Sequence, residues 1–190
     1  MNTSDAVELI RGGVSGHGGV WADFGAGDGT FTRALAELLG PGGRIHAIDK
    51  DARAISAIER WTGQVEARVV PVVADFSRPL DVPGLGTGTL DGLLFANALH
   101  FVREAGQVLA RLGTWLKPFG RVVIVEYDRR AASRWVPYPI PLAQLPALAA
   151  GADLSPPIIT GERPSAYGGK LYAAVAQRQP AWWTSGARSS

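Results

Sequence analysis

Short runs of consecutive apolar residues alternate along the chain with longer stretches in which apolar residues recur every three or four positions. This is the pattern of a parallel sheet flanked by helices. "GVWADF" reads as a first strand, and "GTFTRALAELLG" as a helix with Phe31, Leu35, Leu38 and Leu39 on one face. Thr30 is placed to cap that helix, and Gly40 to Gly43, with Pro41, stop it. "RIHAIDKD" is a second strand, and Asp51 stands where it can cap "ARAISAIERW", whose Ala54, Ile55, Ile58 and Trp61 form an apolar stripe. The third strand, "ARVVPVVAD", contains Pro71, which removes a ladder hydrogen bond and so predicts a place at the sheet's rim.

"LDGLLFANAL" predicts a fourth strand, "EAGQVLARLGTWLKP" a helix and "GRVVIVEYD" a fifth strand, with Lys117 and Gly120 marking the turn between the last two. "PLAQLPALAAGA" predicts a last helix despite Pro146. The alternation then changes. "PPIITGERPSAYGGKLYAAVAQ" holds two strand-like runs with no room for a helix between them, so they should pair antiparallel. The expected organisation is a leader over residues 1–19, one α/β domain over residues 20–178, and a mobile tail over residues 179–190 in which Trp182 and Trp183 are free to dock.

Composition narrows the function classes. The 190 residues suffice for one well-buried core, and 46% apolar with 19% charged residues is ordinary globular usage. A net charge of +2, without a stripe of Lys and Arg interleaved with aromatics, argues against a nucleic-acid partner. "YDRRAASR" reads as a solvated loop carrying Arg129 and Arg130. The absence of cysteine excludes disulfides, thiol nucleophiles and Cys-ligated metal sites. The acidic start "MNTSDAVELIRGG" does not resemble a signal peptide, and no apolar run is long enough to span a membrane, so a soluble cytoplasmic protein with no membrane partner is expected. Abundant Ala, Gly, Pro and Arg suggest a GC-rich bacterial source.

Gly25, Gly27 and Gly29 lie where the first strand turns into a helix, the place at which open α/β sheets bind ligands. The helix start offers unpaired N–H groups and partial positive charge. Asp49 ends the second strand, where a carboxylate can accept from ribose hydroxyls; Asp75 ends the third, beside Phe76, where an acid and an aromatic surface suit adenine. A dinucleotide fingerprint requires glycine where Thr30 stands, and Asp23 at the loop's entrance would repel phosphates while suiting an ammonium group.

In the order and spacing of these motifs, from Val20 to Gln177, the sequence resembles the class I S-adenosylmethionine-dependent methyltransferases. "DFGAGDG", "HAIDKD", "VVADF", "LDGLLFANALHFV" and "LKPFGRVVIVEY" carry the likeness. It implies a Rossmann-like, open twisted sheet, mostly parallel with an antiparallel last strand pair and helices on both faces. It also implies S-adenosylmethionine as cofactor: Gly25, Ala26 and Gly27 against the methionine portion, Asp23 near its ammonium, Asp49 on the ribose, and Asp75 with Phe76 at adenine. Asn97, Ala98 and Leu99 would line the sulfonium and face the substrate. Lys50 departs from the apolar residue that such enzymes often carry beside adenine, and its stem would cover the ring instead.

Methyl transfer from a sulfonium is an in-line displacement that needs a base only when the acceptor must lose a proton. His100 is the candidate base, since "NALHF" leaves the fourth strand at the cleft; the competing reading is a backbone-bonded residue packed beside Phe101. Tyr127 and Asp128 end the fifth strand at the same mouth, and Trp135 and Tyr138 stand among prolines in a strip that either walls the acceptor pocket or crosses the sheet's rim. His17, His46 and His100 are too scattered for a metal site. The expected acceptor is a small molecule. The short N-terminal segment leaves the cleft open or closed by a partner, so a homodimer is one expectation. Two other classes remain: an NAD(P)-dependent oxidoreductase, and a non-catalytic module that binds S-adenosylmethionine.

Overall fold

The computed structural model describes residues 1–14, 16–128, 131–165 and 169–180. Arg129, Arg130, Trp182 and Trp183, and the expected mobility of residues 181–190, lie outside the described residues. Seven strands form one sheet: β1 (Gly19–Phe24), β2 (Gly43–Asp49), β3 (Arg68–Val73), β4 (Leu90–Ala96), β5 (Leu116–Asp128), β6 (Ile158–Pro164) and β7 (Lys170–Gln177). Their spatial order is β3-β2-β1-β4-β5-β7-β6. The first five are mutually parallel, and β7 runs antiparallel to both β5 and β6. This is the expected Rossmann-like α/β sheet, with β3 and Pro71 at the rim.

The helices are α1 (Thr3–Ile10), α2 (Thr30–Leu39), α3 (Ala52–Glu59), α4 (Ala105–Gly113) and α5 (Leu145–Ala150). Because side chains alternate across each strand, the sheet has two apolar faces. Trp21, Ile45, Leu94 and Val123 meet Val7, Ile10, Leu35 and Leu39 of α1 and α2 on one of them. Phe24, Leu93, Phe95 and Ile124 meet Leu109 and Leu112 of α4 and Leu145 of α5 on the other. Ile55 and Ile58 of α3 close a smaller cluster with Ala47 and Trp61.

Three local details differ from the sequence reading, and the last expected helix shows why its proline is tolerated. The first nineteen residues are more than a leader: Ala6, Val7, Leu9 and Ile10 recur at helical spacing, and α1 buries them against the sheet and α2. Thr30 is the first residue of α2 and not its cap; the cap position is Gly29 in the left-handed region, and Asp28 Oδ1 accepts from the Thr30 backbone N–H at 3.1 Å and its hydroxyl at 2.9 Å. Lys117 to Gly120 belong to β5, where the register against β4 jumps between Leu90↔Leu116 and Gly92↔Arg121, so the expected turn is a bulge. Pro146 sits in the first turn of α5, where its missing N–H costs little.

Candidate functional site

The carboxyl ends of β1 to β5 open into a cleft of about 600 Å³. It lies where the strand order reverses between β1 and β4, so the loops leaving these two strands diverge and leave a crevice. The loop after β1 is anchored by two backbone bonds, from Gly25 N and Ala26 N to the Ile48 carbonyl at 2.8 and 3.1 Å. Gly25 has φ +78°, and a Cβ there would come 2.6 Å from the Ala98 Cβ, so the loops after β1 and β4 touch through the missing side chain. Gly29, at φ +87°, leaves room in the same way for Trp61.

Asp49 is fixed by both oxygens: Oδ2 accepts from Gly27 N and Oδ1 from Asp51 N, each at 2.9 Å. A carboxylate offers about four acceptor positions, so two remain for hydroxyl donors from the cleft. Asp75 Oδ1 accepts from the Ser77 N–H at 3.0 Å and its hydroxyl at 2.6 Å, while Arg78 Nε stands 3.7 Å from Oδ2. The Ser77 bonds, with smaller contributions from Lys50 and Arg78, hold the Asp75 carboxyl below the ordinary carboxylate range. Phe76 sets its ring against Phe24 and Phe95, with centroids 5.8 and 5.9 Å away. Asn97 takes a left-handed φ of +54°, and its Oδ1 is buried without a partner at the cleft wall.

The structure therefore brings Gly25, Ala26, Gly27, Asp49, Lys50 and Asp75 together with Phe76, Asn97, Ala98 and Tyr127 around one cavity. Five other candidates, His100 among them, fall elsewhere. Asp23 lies behind the glycine loop: alternation along β1 puts it on the face of Trp21, fully buried, where Oδ2 accepts the Thr32 hydroxyl at 2.6 Å and Oδ1 has no partner. Burial, opposed in part by Thr32 and helped by the charge of Asp49, pushes its pKa up to about 7. Leu99 is fully buried in the apolar core, because the chain bends into a 3-10 turn at Leu99–Phe101 that leaves Ala98 and Phe101 at the cleft. Trp135 is exposed with the Arg134 guanidinium over its ring, and Tyr138 lines a neighbouring cavity beside Phe101.

His100 is also withdrawn from the cleft. Its backbone N donates to Glu126 Oε1 at 3.2 Å, its Nδ1 lies 2.6 Å from Glu126 Oε2, and the ring of Phe101 sits 4.3 Å away, centroid to centroid. Both side chains of the pair are almost fully buried. Sequence reading missed Glu126 as the partner, and missed Met1, Asp28, Phe31 and Ser77 as cleft residues. Asp28 had a signal in its place inside the glycine loop; Met1 reaches the cleft only because α1 folds back over the sheet. Among the described residues, no group of three or more metal-capable side chains occurs. No helix among them is long and apolar enough to cross a membrane.

Sheet order, the antiparallel last pair and the cleft at the reversal point define the Rossmann-like methyltransferase fold. The chain belongs to the methyltransferase domain family, which matches residues 22–122. Its sequence is 30% identical over 106 residues to an uncharacterized 37.1 kDa protein in transposon TN4556 of Streptomyces fradiae, covering 56% of this chain and 29% of that protein. It is 42% identical over 59 residues to a ribosomal RNA small subunit methyltransferase H of Paracidovorax citrulli, covering 30% of this chain and 19% of that enzyme. The chain thus matches less than a third of the length of either relative. In fold it is similar to a 1,6-didemethyltoxoflavin-N1-methyltransferase from Burkholderia thailandensis, solved with 1,6-didemethyltoxoflavin and S-adenosylhomocysteine bound. There the TM-score is 0.70 at 24% identity, over 94% of this chain and 78% of that one.

Proposed function

We propose that the chain transfers a methyl group from S-adenosylmethionine to a small-molecule acceptor by in-line displacement. The observation that carries this reading is the convergence, in one cleft, of the Gly25–Gly27 loop, Asp49, the Asp75–Phe76 turn and Asn97 at successive strand ends. When bound, S-adenosylmethionine supplies an electrophilic methyl on a sulfonium that departs as a neutral thioether. Asp49 keeps acceptor positions for the ribose hydroxyls, and Asp75 Oδ2, turned away from Ser77, is the acceptor for an adenine amino group. The unpartnered Asn97 Oδ1 is an acceptor for a donor entering the cleft.

Met1, Phe31, Phe101 and Tyr127 give the cleft apolar and aromatic walls. Orientation of acceptor and methyl is the main catalytic device in this reading, and well-aligned groups can gain ~7–11 kcal/mol from it. His100 takes no direct part, because Glu126 and Phe101 enclose it. Small size of the acceptor is supported by these walls and by the low net charge of +2. An RNA acceptor is the second reading, favoured by the local identity to ribosomal RNA small subunit methyltransferase H. Labelled methyl groups recovered in added RNA, and absent from a small-molecule extract, would select it.

Calorimetry with S-adenosylhomocysteine tests the cofactor site. The parent should bind, and Asp49→Ala should bind about 100-fold more weakly, the loss of two hydrogen bonds to a charged acceptor. Unchanged affinity in the variant would remove Asp49 from the site. A parent that binds NADH and ignores S-adenosylhomocysteine would return the dinucleotide reading.

A further inference from the structure

The wall of the cleft assigned to adenine is the segment Ala74 to Ser77, folded on itself through Asp75 and Ser77. Asp75 accepts from Ser77, and Arg78 N donates to the Asp75 carbonyl at 3.2 Å. Ala74 N ties the segment to β2 through the Asp49 carbonyl at 2.9 Å. One further bond arrives from a distant element. Arg111, near the end of α4, donates from Nη2 to the Phe76 carbonyl at 2.7 Å. That carbonyl belongs to the residue whose ring packs against Phe24 and Phe95 and whose edge would stand 3.4 Å from a Cβ on Gly25.

Arg111 is a costly residue to hold in this position. Its guanidinium is partly withdrawn from water, and burial lowers its pKa from the ordinary arginine value, so the desolvated cation must be offset by a good acceptor. What Arg111 gives the cleft is a hydrogen bond to the backbone of its wall.

We propose that Arg111 is a positioning residue for the nucleoside end of the cofactor, its bond to the Phe76 carbonyl fixing the Asp75–Phe76 turn against the glycine loop. The proposal rests on the S-adenosylmethionine reading and adds to it a residue that lines the neighbouring cavity and not the cleft itself. Without the bond the turn is still closed by Ser77 and packed against the α4 side chains, but its hydrogen bond from α4 no longer sets its height above the sheet. The acceptor for the adenine amino group and the ring beside Gly25 then shift together.

The test compares two ligands that share adenosine, S-adenosylhomocysteine and 5′-methylthioadenosine, the second of which lacks the amino-acid end. Calorimetry is run on the parent, on Arg111→Met, which keeps the length of the stem, and on Arg78→Met, which removes an exposed charge beside Asp75. Arg111→Met should weaken both ligands by the same factor, about tenfold, the usual worth of one charge-assisted hydrogen bond. Arg78→Met should stay within about twofold of the parent, as exposed ion pairs contribute little. Melting without ligand separates fold from site: a lowered melting temperature with unchanged affinity would make Arg111 merely structural and overturn the proposal. A loss confined to S-adenosylhomocysteine, or an equal loss in Arg78→Met, would overturn it as well. If Arg111→Met does not fold, Arg111→Ala, which likewise has no side-chain donor and suits a helix, carries the same comparison. A parent that binds neither ligand fails the cofactor reading and the proposal together, whereas a parent that binds both while Arg111→Met matches it fails the proposal alone.

Discussion

At the scale of single residues, Asp23 is an acid fully buried on the apolar face of β1, with one oxygen unpartnered. Its native pKa of about 7 lies above the ordinary value of 3.8, so between these limits the folded state holds a proton that the unfolded chain has released. The stability this confers is complete below about pH 4 and is lost as pH rises through about 7. His46, whose pKa is lowered by burial and by Arg44 and Arg68, works in the opposite sense. We expect Asp23→Asn to remove the first contribution and keep the second. Urea unfolding at pH 5 and pH 8 should therefore show the variant gaining on the parent by about 2–3 kcal/mol at the higher pH, from the part of the Asp23 displacement that lies between pH 5 and about 7. An equal difference at both values would mean that Asp23 is ionised throughout. Asp49 and Asp75 were legible in the sequence because an acid closing an apolar strand run has one place to go. Asp23 was legible as an acid near the loop but not as a buried one, since the side of β1 it occupies depends on where α2 lands. Leu99 and His100 were misplaced because the bend after Asn97 breaks the period-two reading just where the strand ends.

At the scale of elements, the loop leaving β4 is held by a side chain of β5. Glu126 grips both the backbone N–H and the ring of His100, so the turn that carries Ala98 and Phe101 to the cleft is tied to the neighbouring strand. Glu126→Ala should destabilise the fold by about 3 kcal/mol, the cost of stripping one partner from a buried pair. Chemical denaturation checks the figure, and a change under about 0.5 kcal/mol would show that the turn holds itself. The order of strands and helices was readable from periodicity because each element carries enough positions to display it. Their ends were not: Asp28 and not Thr30 satisfies the start of α2, and the Leu116–Gly120 bulge looks in sequence like a turn because its Pro-Phe-Gly is turn chemistry. The His100–Glu126 link spans 26 positions and carries no local pattern.

At the scale of the whole molecule, the sheet reverses its order at β1 and β4, and the cleft runs from that point along the strand ends to β2 and β3 on one side and β5 on the other. The N-terminal helix covers the same side of the sheet as α2 and buries Val7, Leu9 and Ile10. Each such side chain is worth about 1.5–3 kcal/mol, so deleting residues 1–13 should lower stability by at least about 4 kcal/mol in urea titration. A midpoint left in place would show that α1 rests on the sheet without supporting it.

Asp5 of α1 meets Arg163 of β6 at 2.7 Å, and Gly161 passes so close to Leu9 that a Cβ there would lie 2.6 Å from its carbonyl oxygen. During translation α1 therefore waits for part of its berth until β6 has left the ribosome. Until then its apolar side has α2 and the earlier strands for company, and this seam closes only after β6 is made.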